Sequence, residues 1–396
     1  SGTPPPTTIA GRSRPTGREP DSGVRPDNGV RPGDGEPGST SPPNSGNYRI
    51  TDPTELFPTG KVGKLRNNVA AIKITKLIAS EGRGATPEEQ AVIAKFAGWG
   101  DLGKIFTPTD TGLSNTEQSL RQELKALLTN EEWKSARGST LNAHFTSPEI
   151  IAAMWRAAKQ MGVQGNNVRI GEPGMGLGYF YGLMPDSFQG ANLLGIELDT
   201  LTGQMSKLLY PDAKVEIGRF QDAQIPDNWM DLWIGNWPFS EVATLEDPRY
   251  RKLAPVLHDY FFLKALDTVK PGGIVMGLTS TGTMDKKSSR IRAEIAKTSD
   301  LLAAYRLPSG AFQKIAGTTV VIDMLIFRKR LPGEEAATAD WMRVLPGATK
   351  VNMYWALHPE HVMGEMTVEE RGRYGSAETV VKPSENWYSD LQDQIT

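Results

Sequence analysis

Apolar positions along the chain follow four different rhythms. Residues 1–48 hold almost none; they are Pro, Gly, Ser, Thr, Asp and Arg, with GVRP at Gly23 and again at Gly29. Such a segment buries too little surface to offset its ordering entropy, so it reads as a disordered Pro/Gly-rich linker. A chain that opens this way suggests a tethered module or a fragment of something longer. Residues 49–138 carry a helical period. LRNNVAAIKITKLIASEG places apolar residues on one face and stops at Gly82. TPEEQAVIAKFAGWG starts with Thr86 as cap, Pro87 at the first helical position and Glu89 closing a capping box; TNEEW repeats the box with Thr129 and Glu132. FAGWGDLGKIF breaks the period with three glycines and reads as a loop anchored by Trp99.

From residue 139 to 332 short β-rich runs take over: VRIGEP, NLLGIELD, KVEIGRF, DLWIGN, GGIVMGLTS, LLAAYRLP and VVIDMLIFRKR. Helices fit between most of the first five, which predicts an α/β fold with a doubly wound, mostly parallel sheet of seven strands. The last two runs, separated by SGAFQKIAGTT, read as a hairpin-like return that adds an antiparallel strand. Residues 333–396 form a polar C-terminal extension with short ordered-looking pieces, such as VNMYWALHPEHVMG, and no strong period.

Composition narrows the chemistry. Hydrophobic residues make up 38% and charged residues 23%, enough for a sizeable core. With no cysteine, disulfides, thiolate catalysis and Cys-based metal sites are excluded. Of the four histidines (His144, His258, His358 and His361), only the last two lie close together, and nothing near them has metal-ligand spacing, so no metal is predicted. The net charge of -2 announces no polyanionic partner, so any nucleic acid must meet a local basic patch. No membrane span or signal peptide is evident, which makes a cytoplasmic protein the expectation.

Four strand ends carry the candidate chemistry, because in doubly wound sheets ligands lie beyond the carboxyl ends of the strands. The first run ends in Glu172, then Gly174, Gly176 and Gly178, a turn that lets backbone approach a ligand. Its spacing is neither the dinucleotide nor the triphosphate pattern, and a tight strand–helix turn is the simpler alternative. The second run ends in Glu197, about 20 residues on, where a carboxylate commonly holds a ribose; Asp199 can cap the next helix at the same time. The pair points to a nucleoside-type cofactor. Glu172 in the turn disfavours phosphate and favours a cationic ligand such as S-adenosylmethionine. At the third end Phe220 either packs on an adenine face or belongs to the core, and Gln221 or Asp222 either accepts from its amino group or lies at the surface. The fourth run exits through Asn236, Trp237, Pro238 and Phe239. A carboxamide oxygen, a main-chain carbonyl fixed by the Trp-Pro unit and a ring make a seat for a flat amino-heterocycle; the alternative is an ordinary exit with a buried Phe.

EPGMGLG, GIELD and GNWPF in that order resemble the S-adenosylmethionine-dependent N6-adenine DNA methyltransferases with their N-P-P-[YF] signature. AHFTSPEII resembles the segment these enzymes carry before the glycine turn. The order is gamma-like, as in type I modification subunits. The likeness extends to the methylase portion of large mobile-element and phage proteins often fused to a helicase, through RNNVAAIKITKLI, LHDYFFLKALDTVKPGGIV, TSTGTMDKK, YRLPSGAF and HPEHVMG. It implies the class I S-adenosylmethionine methyltransferase fold, DNA as partner, and a helicase module of the same larger protein as a further one. No helicase motif is present in this chain. The resemblance implies catalytic roles for Asn236, Trp237, Pro238 and Phe239. It implies cofactor contacts from Phe145, Thr146, Glu172, Pro173, Gly174, Gly176, Gly178, Glu197, Leu198, Phe220, Gln221 and Asp222.

Two departures stand out. Trp237 replaces the first proline of the signature, so its indole either stacks on the flipped base or blocks it. Arg219 stands where an acid is frequent. His258 and Asp259 either orient the catalytic loop or cap a helix. Lys286, Lys287, Arg290 and Arg292 either contact phosphate or line a solvated helix face. The same seat accepts any planar amide or amine, so methylation of protein glutamine or RNA is an alternative, as is a degenerate cofactor-binding module.

Overall fold

The computed structural model describes residues 46–56, 60–139, 146–309, 311, 321–347, 350–370 and 377–395. Most of the N-terminal linker, His144, Phe145 and most of the SGAFQKIAGTT segment therefore lie outside the described residues. The described residues form one compact unit.

Four helices lead: α1 (Lys61–Glu81), α2 (Pro87–Ile93), α3 (Asn115–Leu127) and α4 (Asn130–Ser139). Each starts or stops for a local reason. Gly82 closes α1 in the left-handed conformation, its N–H turned back to Ala79. Thr86 and Glu89 form the expected reciprocal box, as do Thr129 and Glu132. The buried Leu65, Val69, Ile72 stripe gives α1 its inner face. Asn68, on the same face, pins the glycine-rich loop: its side chain donates to the Gly98 carbonyl (2.6 Å) and accepts from the Ala97 N–H (2.8 Å). Trp99 then packs edge-on between Phe96 and Phe106. These helices share their core with the sheet that follows.

After α5 (Pro148–Gln160) come β1 (Arg169–Pro173), α6 (Tyr179–Gly182), β2 (Asn192–Glu197), α7 (Thr200–Leu209), β3 (Lys214–Ile217) and β4 (Met230–Asn236). Next are α8 (Leu257–Thr268), β5 (Val269–Ser280), α9 (Gly282–Asp285), α10 (Arg290–Ala296), β6 (Ser299–Leu307) and β7 (Ile322–Lys329). The sheet order is β3-β2-β1-β4-β5-β7-β6. All neighbours run parallel except β7, which is antiparallel to both β5 and β6. This is the class I S-adenosylmethionine methyltransferase fold, with the return strand where the sequence placed it. Its chain order reverses between β1 and β4, and that crevice is where such sheets bind ligands. Along β4 the side chains alternate: Leu232 and Ile234 join one core, Trp233 the other.

Two features go beyond what the pattern specifies. No helix joins β3 to β4; residues 218–229 cross as a turn held by Lys264 (below). The C-terminal extension is ordered into α11 (Met353–Leu357), a hairpin of β8 (Gly364–Glu370) and β9 (Ala377–Pro383), and α12 (Trp387–Gln394). The charged residues of β8 hide its strand period.

Candidate active site at the β1/β4 crevice

Beyond β1 the chain makes a turn in which Gly174, Gly176 and Gly178 all have positive φ (72°, 56° and 69°), a conformation that only glycine adopts readily. Backbone bonds from Gly174 and Met175 to the Ile196 carbonyl tie the turn to β2. The Ser206 hydroxyl holds the Gly176 carbonyl at 2.6 Å. A Cβ at Gly178 would strike Tyr210 at 2.6 Å, so this glycine serves packing. A Cβ at Gly176 would meet nothing within 4 Å, so this stretch of backbone borders open space.

Two acids flank the turn. Glu197 is half-buried; it accepts from the Gly176 N–H (2.7 Å) and the Asp199 N–H (2.8 Å), and burial raises its pKa. Glu172 is 3% exposed, and among the described residues its Oε2 has no hydrogen-bond partner. Burial first, then the Glu197 charge, pushes its pKa well above the ordinary carboxylate range. Leu198, next to Glu197, is 67% exposed. Asp199 also caps α7 through the Thr202 N–H (2.8 Å), so its capping role coexists with the acid beside it. Thr146 and Pro173 are buried nearby in sequence to α5 and β1.

At the β3 exit the Phe220 ring is buried against Trp233, Tyr260 and Phe261, with Lys264 Nζ 5.1 Å from its centroid. This corrects the reading of Phe220 as a platform for an adenine face: the ring is core. Its backbone is fixed instead. Buried Lys264 donates to the carbonyls of Phe220 (2.6 Å), Gln221 (3.0 Å) and Ala223 (3.0 Å). Sequence reasoning missed Lys264, although a lone lysine in FFLKAL was a visible signal. Asp222 is exposed and paired with Arg219 (2.7 and 3.0 Å), which lowers its pKa. Gln221 is half-buried.

At the β4 exit Asn236 is half-buried and lies opposite Leu278 of β5. Trp237 extends the ladder, its N–H bonded to the Leu278 carbonyl at 3.1 Å. The pleat then sends the indole to the opposite face from Asn236. There it is 1% exposed, with its centroid 4.2 Å from that of Phe262. A Cβ at Gly277 would lie 2.9 Å from the indole, so that glycine makes its room. This corrects the expectation that Trp237 stacks on or blocks a base: the indole is core. Pro238 and Phe239 are half-buried. Pro238 Cδ lies 3.9 Å from a Cβ built on Gly174, so the tetrapeptide abuts the glycine turn.

Behind the tetrapeptide, His258 is fully buried, and burial lowers its pKa, leaving it neutral. Asp259 accepts from the Thr283 hydroxyl (2.9 Å), and Lys286 bridges toward Glu241 (3.1 Å). Of the basic candidates, Lys287 and Arg290 are exposed and Lys286 is half-buried. Arg292 is 1% exposed and donates to the Thr283 and Lys286 carbonyls, which corrects its reading as a phosphate contact.

No protein-family model matches the chain. One curated relative is the defense against restriction protein B of Escherichia phage P1. It is 26% identical over 224 residues, covering 55% of this chain and 10% of that protein. The chain thus spans about a tenth of that relative's length. Similar solved structures include the type I restriction-modification methyltransferase subunit from Streptococcus thermophilus, at 12% identity over 83% of this chain and 78% of that one (TM-score 0.42). A type I restriction-modification assembly matches at 11% over 68% and 70% (TM-score 0.43). A 23S rRNA methyltransferase matches at 13% over 50% and 74% (TM-score 0.36). Among the described residues no helix is long and apolar enough to cross a membrane.

Proposed function

We propose that the chain is an S-adenosylmethionine-dependent methyltransferase that modifies the N6 amino group of adenine in DNA. The observation that carries this is the abutment of the Asn236–Phe239 tetrapeptide on the glycine turn, in the crevice where the sheet order reverses. The residues present fit the cofactor. Glu172 offers a buried carboxyl oxygen without a partner among the described residues, suited to a cationic group. Gly176 leaves room at the backbone, Glu197 is placed for ribose hydroxyls, and Leu198 offers an exposed apolar surface. When bound, the cofactor supplies an electrophilic methyl group on a sulfonium.

The chain's own residues then position the acceptor. Asn236 Oδ1 and the Trp237 carbonyl accept the two hydrogens of the exocyclic amine, leaving its lone pair aimed at the methyl carbon. Phe239 stacks on a base rotated out of the duplex. The displacement is driven mainly by this alignment. Lys287 and Arg290, exposed after β5 with Lys286 beside them, supply phosphate contacts. A helicase module of the same larger polypeptide is the second proposed partner. The test is incubation with DNA and cofactor tritiated on the methyl group, followed by digestion to nucleosides. Label in N6-methyladenine is expected. Label in protein glutamine, in RNA or nowhere would overturn the assignment.

A further inference from the structure

A second cluster of chemistry lies far along the chain from the crevice, in the turn after α11. His358, Glu360 and His361 sit in and beside a short 3₁₀ turn, Pro359–His361. In such a turn positions three apart eclipse. The two imidazoles accordingly stack, centroids 5.2 Å apart and planes 18° apart. The Glu360 carboxylate lies between them, 3.3 Å from His358 Nδ1 and 3.9 Å from His361 Nε2. One ligand atom from each residue falls within 4.8 Å of the others. Donors about 2.0–2.1 Å from a tetrahedral zinc stand about 3.4 Å apart, so the three must close by about an ångström, with one imidazole turning out of the stack to bring both lone pairs onto the ion.

The surroundings agree with a cation. Tyr354 Oη hydrogen-bonds His361 Nδ1 at 2.8 Å and is itself held by the Ala304 N–H at 3.0 Å. With Nδ1–H donated to the tyrosine oxygen, the Nε2 lone pair points to the cluster, the outer-shell arrangement common to metal-bound histidines. Glu360 also lines a cleft with Glu365, Asp390 and Asp393, a concentration of negative charge that Lys382 only partly offsets.

We propose that His358, Glu360 and His361 form a divalent transition-metal site of the zinc type, with the fourth position open to water. The metal would stiffen this turn of the C-terminal extension. The turn is already joined to β6 there: Val362 bridges Arg306, and the Met363 N–H bonds the Arg306 carbonyl at 2.9 Å.

The chain lacks cysteine, and His258 is fully buried, so few other ligands compete. Chelator-stripped full-length protein is titrated with Co²⁺ while visible absorption is read. One equivalent with the intense d–d bands of a tetrahedral ion, displaced by Zn²⁺, is expected. His358→Asn and Glu360→Gln alter partly exposed side chains; each is expected to weaken binding about 10–100-fold, with an unchanged circular dichroism spectrum. Absence of stoichiometric binding by the unaltered protein overturns the proposal, as does binding by the variants as tight as that of the unaltered protein.

Discussion

Two buried carboxylates on the same sheet have opposite surroundings. Asp323, on β7, is wholly buried, and both its oxygens accept from Arg306 at 2.8 Å. Arg306 also reaches Asp285 (2.8 Å) and lies 4.4 Å from the Trp355 ring centroid. Asp285 in turn accepts from the Asn352 N–H, so the network fastens the C-terminal extension to the sheet. Glu172, at the end of β1, is almost as buried, yet the charge that acts on it is that of another acid, Glu197, and one oxygen has no partner among the described residues. A buried polar group left unpaired costs stability, and folds retain such costs mainly where function needs them. The paired acid holds the structure together; the unpaired one is poised for something that the chain does not itself supply.

The contrast can be broken or sharpened by substitution. Asp323→Ala leaves Arg306 short of its main partner and should lower unfolding free energy by about 3–5 kcal/mol, read by denaturant unfolding. Glu172→Gln should leave stability unchanged or higher, while cofactor affinity measured by calorimetry falls by about 1.5–3 kcal/mol. If it instead destabilises as Asp323→Ala does, the acid is structural. Gly277→Ala should press on Trp237 and cost about 1–3 kcal/mol of stability. It should slow turnover more than it weakens cofactor binding, because the indole carries the tetrapeptide.

The smallest effect is a slope with pH. The folded-state pKa of Glu172 is raised above its ordinary 4.5, so the folded protein holds that proton more tightly than the unfolded chain. Its contribution is fully present below about 4.5 and is lost as pH rises toward the raised value, at most about 1.4 kcal/mol per pH unit. The difference between the parent and Glu172→Gln unfolding curves across that range isolates this term. A flat difference would mean that the carboxyl ionises normally.

Much of this was legible in the residues. The seven strands, the antiparallel return, both anticipated capping boxes and the glycine turn follow from local pattern, because each is decided within a few residues. What escaped was decided at longer range. Whether Trp237 faces a ligand or the core depends on the pleat of β4 and on Gly277, forty residues away in the sequence. The burial of Phe220 depends on α8, and the shape of its loop on Lys264. Asn68 anchors a loop thirty residues on, which no periodicity reveals. The β8–β9 hairpin was hidden because glutamates occupy positions where a strand signal wants apolar residues.

The central claim is that Asn236, at the tip of β4, presents an adenine amine to a methyl donor in the β1/β4 crevice. Methylation-sensitive sequencing of DNA from cells expressing either the parent chain or Asn236→Ala tests it most directly. N6-methyladenine should appear with the parent and fall by about 10²–10³-fold with the variant, the usual cost of losing one positioned polar group. Absence of the mark in both, or equal levels in both, would contradict the account.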